Sequence, residues 1–139
     1  MKFAKINHEL TVSDQITIED LKAIHAQGYK TIFCNRPDHE SEGQLDFLSI
    51  EKEAQNLGIK TIHQPVIGGQ ISDNDIAAFH TYFESALKPV FAYCRTGTRC
   101  STLWALSHAK KLPVDEILSK AQIAGYDLSS LRDRLNSLK

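Results

Sequence analysis

The sequence predicts an α/β fold in which a mainly parallel central sheet of four to five strands is flanked by helices on both faces. Short apolar runs that suit buried strands alternate with amphipathic segments of helical length. Most of the helical segments begin at a capping residue or end at a glycine. No repeat and no linker rich in Gly, Ser or Pro interrupts the 139 residues, and we therefore expect one domain, 1–139.

The first half of the chain predicts three strands and two helices. Thr17 suits the N-cap of a helix that ends at Gly28, because apolar residues recur along one side of the segment between them. A second helix over about 44–57 ends at Gly58 for the same reason. The strands predicted in this half are 3–6, 10–13 and 31–34.

The second half continues the alternation of strands and helices. The predicted elements are a strand over 60–64, a helix over 73–87 that Ser72 caps, and a buried strand over 90–93 that runs into a further helix. From Pro113 onward, two helices separated near Gly125 are expected to cover the sheet. Alternating strands and helices of this length are typical of parallel sheets.

Ligand sites in such sheets lie at the carboxyl ends of the strands. Three loops are expected to converge there, 35–38, 65–72 and 94–99.

The composition indicates no overall preference for a polyanion or a membrane surface, because the formal net charge is −1. We therefore expect no nucleic acid and no membrane partner, and no pattern indicates an oligomeric state. Three cysteines, without a signal peptide or a long apolar run, predict free thiols and a cytoplasmic location.

The loop 94–99 has the residues of an anion site with a nucleophile. A loop that joins a strand to a helix presents backbone N–H groups and the positive end of the helix dipole. Gly97 allows those N–H groups to turn inward, Arg99 adds a bidentate donor, and Cys94 is expected at the floor. The same field lowers the pKa of a thiol, so we expect Cys94 to be a thiolate nucleophile.

The other residues of this loop, Arg95, Thr96, Gly97 and Thr98, are expected to bind the anion through their backbone N–H groups. The Arg95 side chain is expected equally either to bind the anion or to point into solvent, with only the backbone N–H at the anion. The alternative for the whole segment is a buried cysteine at a strand end, followed by ordinary surface arginines. The combination of strand, Cys, Gly, Arg and helix favours the functional interpretation.

Several segments of the chain together resemble a known family. They are Asn35-Arg36-Pro37, Pro65-Val66, Gly68-Gly69-Gln70-Ile71, the run Cys94-Arg95-Thr96-Gly97-Thr98-Arg99, and Thr102-Leu103-Trp104-Ala105-Leu106. The chain resembles the bacterial beta-lactamase-hydrolase-like, phosphatase-like domain, and its loop is similar to those of cysteine-dependent phosphatases and rhodanese sulfurtransferases. The resemblance implies a cysteine-phosphatase-like fold, a phosphocysteine intermediate on Cys94, and stabilisation of the transferring phosphoryl group by Arg99.

Two departures from the phosphatase pattern keep a sulfurtransferase open. Four residues separate Cys94 from Arg99, whereas the phosphatase loops hold one residue more, and the shorter spacing is closer to the rhodanese loop, whose cysteine carries a persulfide. The loop 65–72 also lacks the Asp that would protonate a leaving alkoxide. Asp73 is the candidate acid, although it also suits a helix N-terminus, and Gln70 is a candidate for orienting water or substrate.

Two residues in or just before the loop 35–38 are further candidates. Arg36 is expected either to bind a second anionic part of the substrate or to brace the loop, with a surface position as the alternative. The resemblance to some phosphatases suggests Cys34 as a resolving thiol for Cys94, against the simpler interpretation of a buried thiol. Cys100 stands where phosphatase loops carry Ser or Thr, and a thiol there is a poorer hydrogen-bond donor.

The six histidines form no His-x-His or His-Glu-x-x-His arrangement, so neither a metal nor another cofactor is expected. The sequence thus leads first to a cysteine-dependent phosphohydrolase, whose ligand is a small tetrahedral oxyanion or a phosphorylated substrate. A sulfurtransferase that uses a Cys94 persulfide is the alternative. A non-catalytic anion-binding or regulatory module is the third hypothesis, because the loop lacks an acid.

Overall fold

Five short strands form one sheet in the computed structural model, which describes all 139 residues. They are β1 (Ala4–Lys5), β2 (Leu10–Ser13), β3 (Thr31–Cys34), β4 (Lys60–His63) and β5 (Val90–Tyr93). The strand order is β1-β2-β5-β3-β4, and every neighbouring pair is parallel except β1 and β2. The predicted α/β class with a mainly parallel sheet is therefore confirmed.

Six α-helices and one 3-10 turn surround this sheet. They are α1 (Ile18–Ala26), α2 (Phe47–Asn56), α3 (Asp73–Ser85), α4 (Thr98–Ser107), α5 (Val114–Ala124), the turn Ser129–Leu131 and α6 (Arg132–Ser137). Thr17 and Ser72 cap α1 and α3 as predicted, each in a capping box. None of the helices has the length and apolar composition that crossing a membrane would require.

Two helix boundaries differ from the prediction. The second helix begins after Asp46, whose carboxylate accepts the N–H of Ser49 at 3.0 Å and so supplies a better cap than Gln44. Gln44 instead binds the preceding loop, accepting from the N–H of Glu40 at 3.1 Å. The third helix ends at Ser85, and the exposed Leu87 lies in the turn before Pro89.

The two faces of the sheet carry separate cores. The larger cluster includes Cys94 and Cys100 and is completed by C-terminal residues such as Leu135, so the last helices cover the sheet as expected. The smaller cluster includes Cys34 and Tyr93. Because neighbouring residues of a strand point to opposite faces, Tyr93 belongs to one core and the adjacent Cys94 to the other.

The central position of β5 decides where the site forms. Tyr93, its last residue, lies beside Ser13 of β2 on one side and Cys34 of β3 on the other. Three parallel strands thus end at the same level, and the loops that follow them meet there. Cys94 is the first residue beyond the middle strand.

Candidate active site

Cys94 lies under the loop that joins β5 to α4, with no exposed surface (0%). The N–H of Gly97 donates to its Sγ at 3.1 Å. Gly97 has φ of 93°, in the left-handed region, and is the residue that precedes the first turn of α4. The backbone therefore turns its N–H groups inward over the sulfur.

Hydrogen bonds lower the pKa of the Cys94 thiol to about 5. The side chain of Cys100 makes the largest contribution, and the N–H groups of Cys100, Gly97 and Thr96 add to it, whereas burial acts in the opposite direction. A thiol with this pKa is ionised at neutral pH, which is the state that a nucleophile requires.

Cys100 contributes more to this site than the sequence suggested. It is fully buried, and burial raises its own pKa well above the ordinary value, so that it keeps its proton and acts as a donor to Cys94. The hydroxyls after Arg99 are directed elsewhere or lie on the cavity wall: Ser101 donates to the carbonyl of Thr98 at 3.0 Å, and Thr102 lines the cavity. The side-chain donor to the sulfur is therefore the Cys100 thiol, at the position where phosphatase loops carry a hydroxyl.

Arg99 is held beside the sulfur by a bidentate ion pair with Glu40. Its Nη1 and Nη2 lie 2.7 and 2.8 Å from the two carboxylate oxygens, and Nη1 also donates to the carbonyl of Val66 at 3.0 Å. The Glu40 carboxylate, together with the Cys94 thiolate, raises the pKa of Arg99 above its ordinary value. The guanidinium is thus permanently charged and fixed in direction.

Glu40 is a site residue that sequence reasoning missed. Hydrogen bonds from Arg99, and then from Arg36, lower the pKa of its carboxyl to about 2. The only signal in the sequence was its position in the loop after β3, one of the loops expected at this edge.

Arg36 is buried, with 3% of its surface exposed, which rules out the surface position. Its guanidinium donates to Glu40 at 2.9 Å, to the Gln15 side chain at 2.8 Å and to Ser41 at 3.0 Å. All these partners are protein groups, and the geometry favours the bracing role over direct binding of substrate.

Cys34 lies on the opposite face of the sheet from Cys94, in the other core. Its Sγ is 3.4 Å from the Arg36 carbonyl, and burial raises the pKa of this thiol to about 11. All three cysteines are free thiols. The geometry favours a buried thiol for Cys34 over the resolving role, which stays a prediction.

Asp73 and Gln70 are exposed residues that do not line the cavity above the loop. Asp73 begins α3, its side chain is 86% exposed, and Oδ1 lies 3.3 Å from Nη2 of Arg134. The structure therefore does not bring either residue together with Cys94 and Arg99, and a role as acid for Asp73 would require a different loop conformation.

A cavity of about 650 Å³ opens above the loop. Four of the predicted residues line it, namely Arg95, Thr96, Thr98 and Arg99. Glu40 is the only carboxylate on its wall, and no histidine lies there. No group of three His, Cys, Asp or Glu side chains in the chain has an arrangement that could hold a metal ion.

Tyr126, also missed from the sequence, ties the loop to the C-terminal segment. Its hydroxyl donates to the carbonyl of Thr96 at 3.0 Å. A Cβ placed on Gly97 would overlap that hydroxyl and would come within 2.8 Å of Cζ of the same ring. Glycine at this position is therefore required both by its φ and by the approach of Tyr126.

Residues 2–111 match the family model of the beta-lactamase hydrolase-like protein, phosphatase-like domain. The beta-lactamase hydrolase-like protein of Agrobacterium fabrum is 36% identical over 130 residues, a match that covers 92% of this chain and 30% of that protein. The chain thus spans about 30% of the length of the curated relatives that it matches.

Two solved structures extend these similarities. The crystal structure of a candidate phosphatase from Neisseria meningitidis (nma1982) is 42% identical, with a TM-score of 0.90 and coverage of 100% of this chain and 99% of that one. The core catalytic domain of the PP-IP phosphatase SIW14 from S. cerevisiae is 15% identical, with a TM-score of 0.74 and coverage of 99% and 84%. The second similarity shows that the fold is that of cysteine phosphatases.

Proposed function

Because this chain belongs to the beta-lactamase hydrolase-like, phosphatase-like domain family, we propose that it is a cysteine-dependent phosphohydrolase whose nucleophile is Cys94. A phosphatase-like hydrolase is the activity that the family and the structural neighbours support. The observation that carries the assignment to Cys94 is its sulfur, which lies under inward N–H groups and has a pKa of about 5.

In the proposed reaction, the Cys94 thiolate attacks phosphorus, so that a P–S bond forms while the bond to the leaving oxygen breaks. Arg99 and the loop N–H groups stabilise the charge on the transferring oxygens. Water then attacks the phosphocysteine, which releases inorganic phosphate and regenerates the thiolate. Arg36 and Glu40 act as positioning residues, because Glu40 accepts two hydrogen bonds from the Arg99 guanidinium and Arg36 in turn donates to Glu40.

The cavity wall also bears on which esters this enzyme would cleave. Its one carboxylate, Glu40, is ionised because Arg99 and Arg36 lower its pKa to about 2, and an ionised group cannot protonate a leaving oxygen. We therefore propose substrates whose leaving group is stable as an anion. Hydrolysis of p-nitrophenyl phosphate should then be much faster than hydrolysis of phenyl phosphate, whose leaving group is the stronger base.

The test of the proposed function is turnover of p-nitrophenyl phosphate by the wild type and by Cys94→Ser. The substitution should lower kcat by about 10³-fold or more, since it removes the nucleophile. Cys34→Ser is the matched control, because that thiol is buried on the other face of the sheet and should leave kcat unchanged. Equal activity of Cys94→Ser and wild type would refute the assignment.

The loop length favours a sulfurtransferase as second candidate function, since four residues separate Cys94 from Arg99. In that reaction the thiolate would take the outer sulfur of thiosulfate, release sulfite, and pass the sulfur to cyanide as thiocyanate. Thiocyanate production that depends on Cys94, without phosphate release, would select this function. Turnover in neither assay would favour a non-catalytic anion-binding module.

A further inference from the structure

The cavity above the loop 94–99 is larger than a single phosphoryl group requires. Its volume of about 650 Å³ lies within the range of sites that hold whole small molecules. The wall carries only three apolar side chains, Ile67, Ile71 and Leu131, and no aromatic ring. A phosphotyrosine ring would therefore find no stacking partner, and the substrate body is expected to be polar.

The charges on this wall are unbalanced. Three guanidinium groups, those of Arg95, Arg99 and Arg134, face a single carboxylate, that of Glu40. Since Arg99 already engages both oxygens of Glu40, two positive charges are left without a strong partner. The molecule as a whole has a formal net charge of −1, so this excess of positive charge is local.

Arg95 is an exposed residue whose side chain takes part in no hydrogen bond or ion pair of the protein, although its backbone carbonyl accepts from Gln15. It follows Cys94 directly in the chain, and it lines the same cavity as Arg99. An arginine that has no protein partner and lines a cavity has all its donors available to a ligand.

Arg134 approaches the same cavity from the C-terminal helix α6. Its one ionic contact is with Asp73, at 3.3 Å from a carboxylate that is 86% exposed, and such a contact is weak in water. The neighbouring Leu135 is fully buried and anchors this helix in the larger core. The helix therefore holds Arg134 at the rim, while most of its donors are free to bind a ligand.

We infer that Arg95 and Arg134 form a second anion subsite beside the Cys94 cradle, and that the substrate is a small molecule with a second phosphate or carboxylate group. The inference rests on the proposed function, because the cradle is taken to hold the phosphoryl group that is transferred. Arg134 is then a specificity-determining residue that lies outside the segment 2–111 matched by the family model.

Binding to the Cys94→Ser protein tests this subsite without any need for turnover. Isothermal titration calorimetry would compare inorganic phosphate with inorganic triphosphate, and fructose 6-phosphate with fructose 1,6-bisphosphate. We expect at least one multiply charged probe to bind about tenfold or more tightly than its singly phosphorylated partner, because each guanidinium adds charge-assisted hydrogen bonds.

Arg134→Ala in the same background should abolish most of this preference, and Arg134→Lys should restore part of it. Arg132→Ala is the matched control, because Arg132 lies on the same short helix, pairs with the exposed Asp115 and does not line the cavity. It should keep the preference of the parent protein. Arg95→Gln gives an independent second variant, whose effect should have the same direction.

Three results would overturn the inference. The first is equal affinity within both pairs of probes, and the second is a preference that survives Arg134→Ala and Arg95→Gln. The third is tight binding of a phosphotyrosine peptide that depends on Arg134, which would replace the small molecule by a protein substrate. A preference that is present in a wild type without phosphatase turnover would support the subsite while refuting the proposed function.

Discussion

The sulfur of Cys94 depends on a second sulfur for its charge. Cys100 follows Arg99 in the sequence, and its protonated thiol makes the largest contribution to lowering the pKa of Cys94. Burial alone would raise the pKa of Cys94, so the low value is due to the hydrogen-bond donors around the sulfur. Removal of the Cys100 donor should consequently change the titration of the Cys94 thiol.

Cys100→Ala should raise the pKa of Cys94 above its value of about 5, whereas Cys100→Ser retains a donor and should shift it less. The measurement is the rate of iodoacetamide modification of Cys94 against pH, followed by mass spectrometry of the Cys94 peptide. Only the thiolate reacts, so the rate rises with pH through the pKa, and the midpoint should move to higher pH in Cys100→Ala. An unchanged midpoint would contradict the assigned role of Cys100.

Glu40→Gln should leave Arg99 without its bidentate partner and allow the guanidinium to turn away from the phosphoryl group. We expect kcat/KM for p-nitrophenyl phosphate to fall by up to about 10²-fold, because misplacement of a stabilising group by about 1 Å has effects of that size. Glu84→Gln removes an exposed ion pair with Lys111 far from the loop and serves as control. Equal activities of the two variants would show that Glu40 does not position Arg99.

These residues also mark the limit of what sequence reasoning finds at a site. Cys94 and Arg99 could be predicted because the loop is contiguous and its residue types are unusual together. Glu40 could not, because it lies 59 residues from the arginine that it binds, and a lone Glu in a polar loop has no distinguishing pattern. The side-chain direction of Asp73 likewise depends on how the preceding loop folds.

Among the elements, the turn between β5 and α4 has the strictest requirement for one residue. Gly97 combines φ of 93° with close approach of Tyr126. Gly28 has a similar φ of 88° but open space around it. Substitution of these two glycines by alanine therefore separates the free-energy cost of the backbone conformation from the cost of a steric clash.

Gly28→Ala should destabilise the protein by about 1 kcal/mol through its φ alone and should leave activity unchanged. Gly97→Ala should have a larger cost of roughly 1–3 kcal/mol and should also lower kcat, since the loop N–H groups must move away from Tyr126. Chemical denaturation and p-nitrophenyl phosphate turnover measure the two effects. Equal losses of stability with full activity in both variants would show that the contact with Tyr126 is easily relieved.

The elements themselves were predictable to within a few residues because each has a local cause. Capping residues and the periodicity of apolar side chains place the starts of α1 and α3 where they were expected. The start of α2 differs because Asp46 caps the helix, whereas the Gln44 side chain binds the loop that precedes it. The apolar periodicity of the segment does not reveal how that loop folds, so it could not place this start exactly.

In the whole molecule, the C-terminal helices do more than extend the domain that the family model describes. Leu135 and Tyr126 are buried in the same core as Cys94, although both lie beyond residue 111. We expect the chain to unfold as a single cooperative unit, 1–139, because this core has members from both segments. A substitution in the C-terminal helix α6 can test that expectation.

Leu135→Ala should lower the free energy of unfolding by about 2–5 kcal/mol, because it leaves a cavity in the larger core. Thermal unfolding followed by circular dichroism and by Trp104 fluorescence should show one transition, shifted to lower temperature in both signals. Ile123→Ala is the control, since that side chain is 83% exposed. Two separate transitions, of which only one moves, would contradict a single cooperative unit.

The parallel sheet could be anticipated from the alternation of strands and helices, but the order of its strands could not. That order places β5 between β2 and β3, so Cys34 lies at the end of a strand that pairs with β5. Cys34 and Cys94 nevertheless belong to different cores, on opposite faces of the sheet. Sequence distance reveals neither the strand order nor the face on which a side chain lies, so the pairing of the two thiols looked feasible. Side-chain alternation along β5 is the physical reason for the separation.

The hydrogen bond from the Tyr126 hydroxyl to the Thr96 carbonyl joins a residue beyond the segment 2–111, which the family model matches, to a loop within that segment. A protein that ended at residue 111 would retain all residues of the loop 94–99. It would lose Tyr126, which stabilises that loop, and Arg134, to which we assign substrate choice. Relatives that share the motif but differ in their tails should accordingly share chemistry while diverging in what they accept. Comparing tails, rather than motifs, is then the way to sort them by substrate.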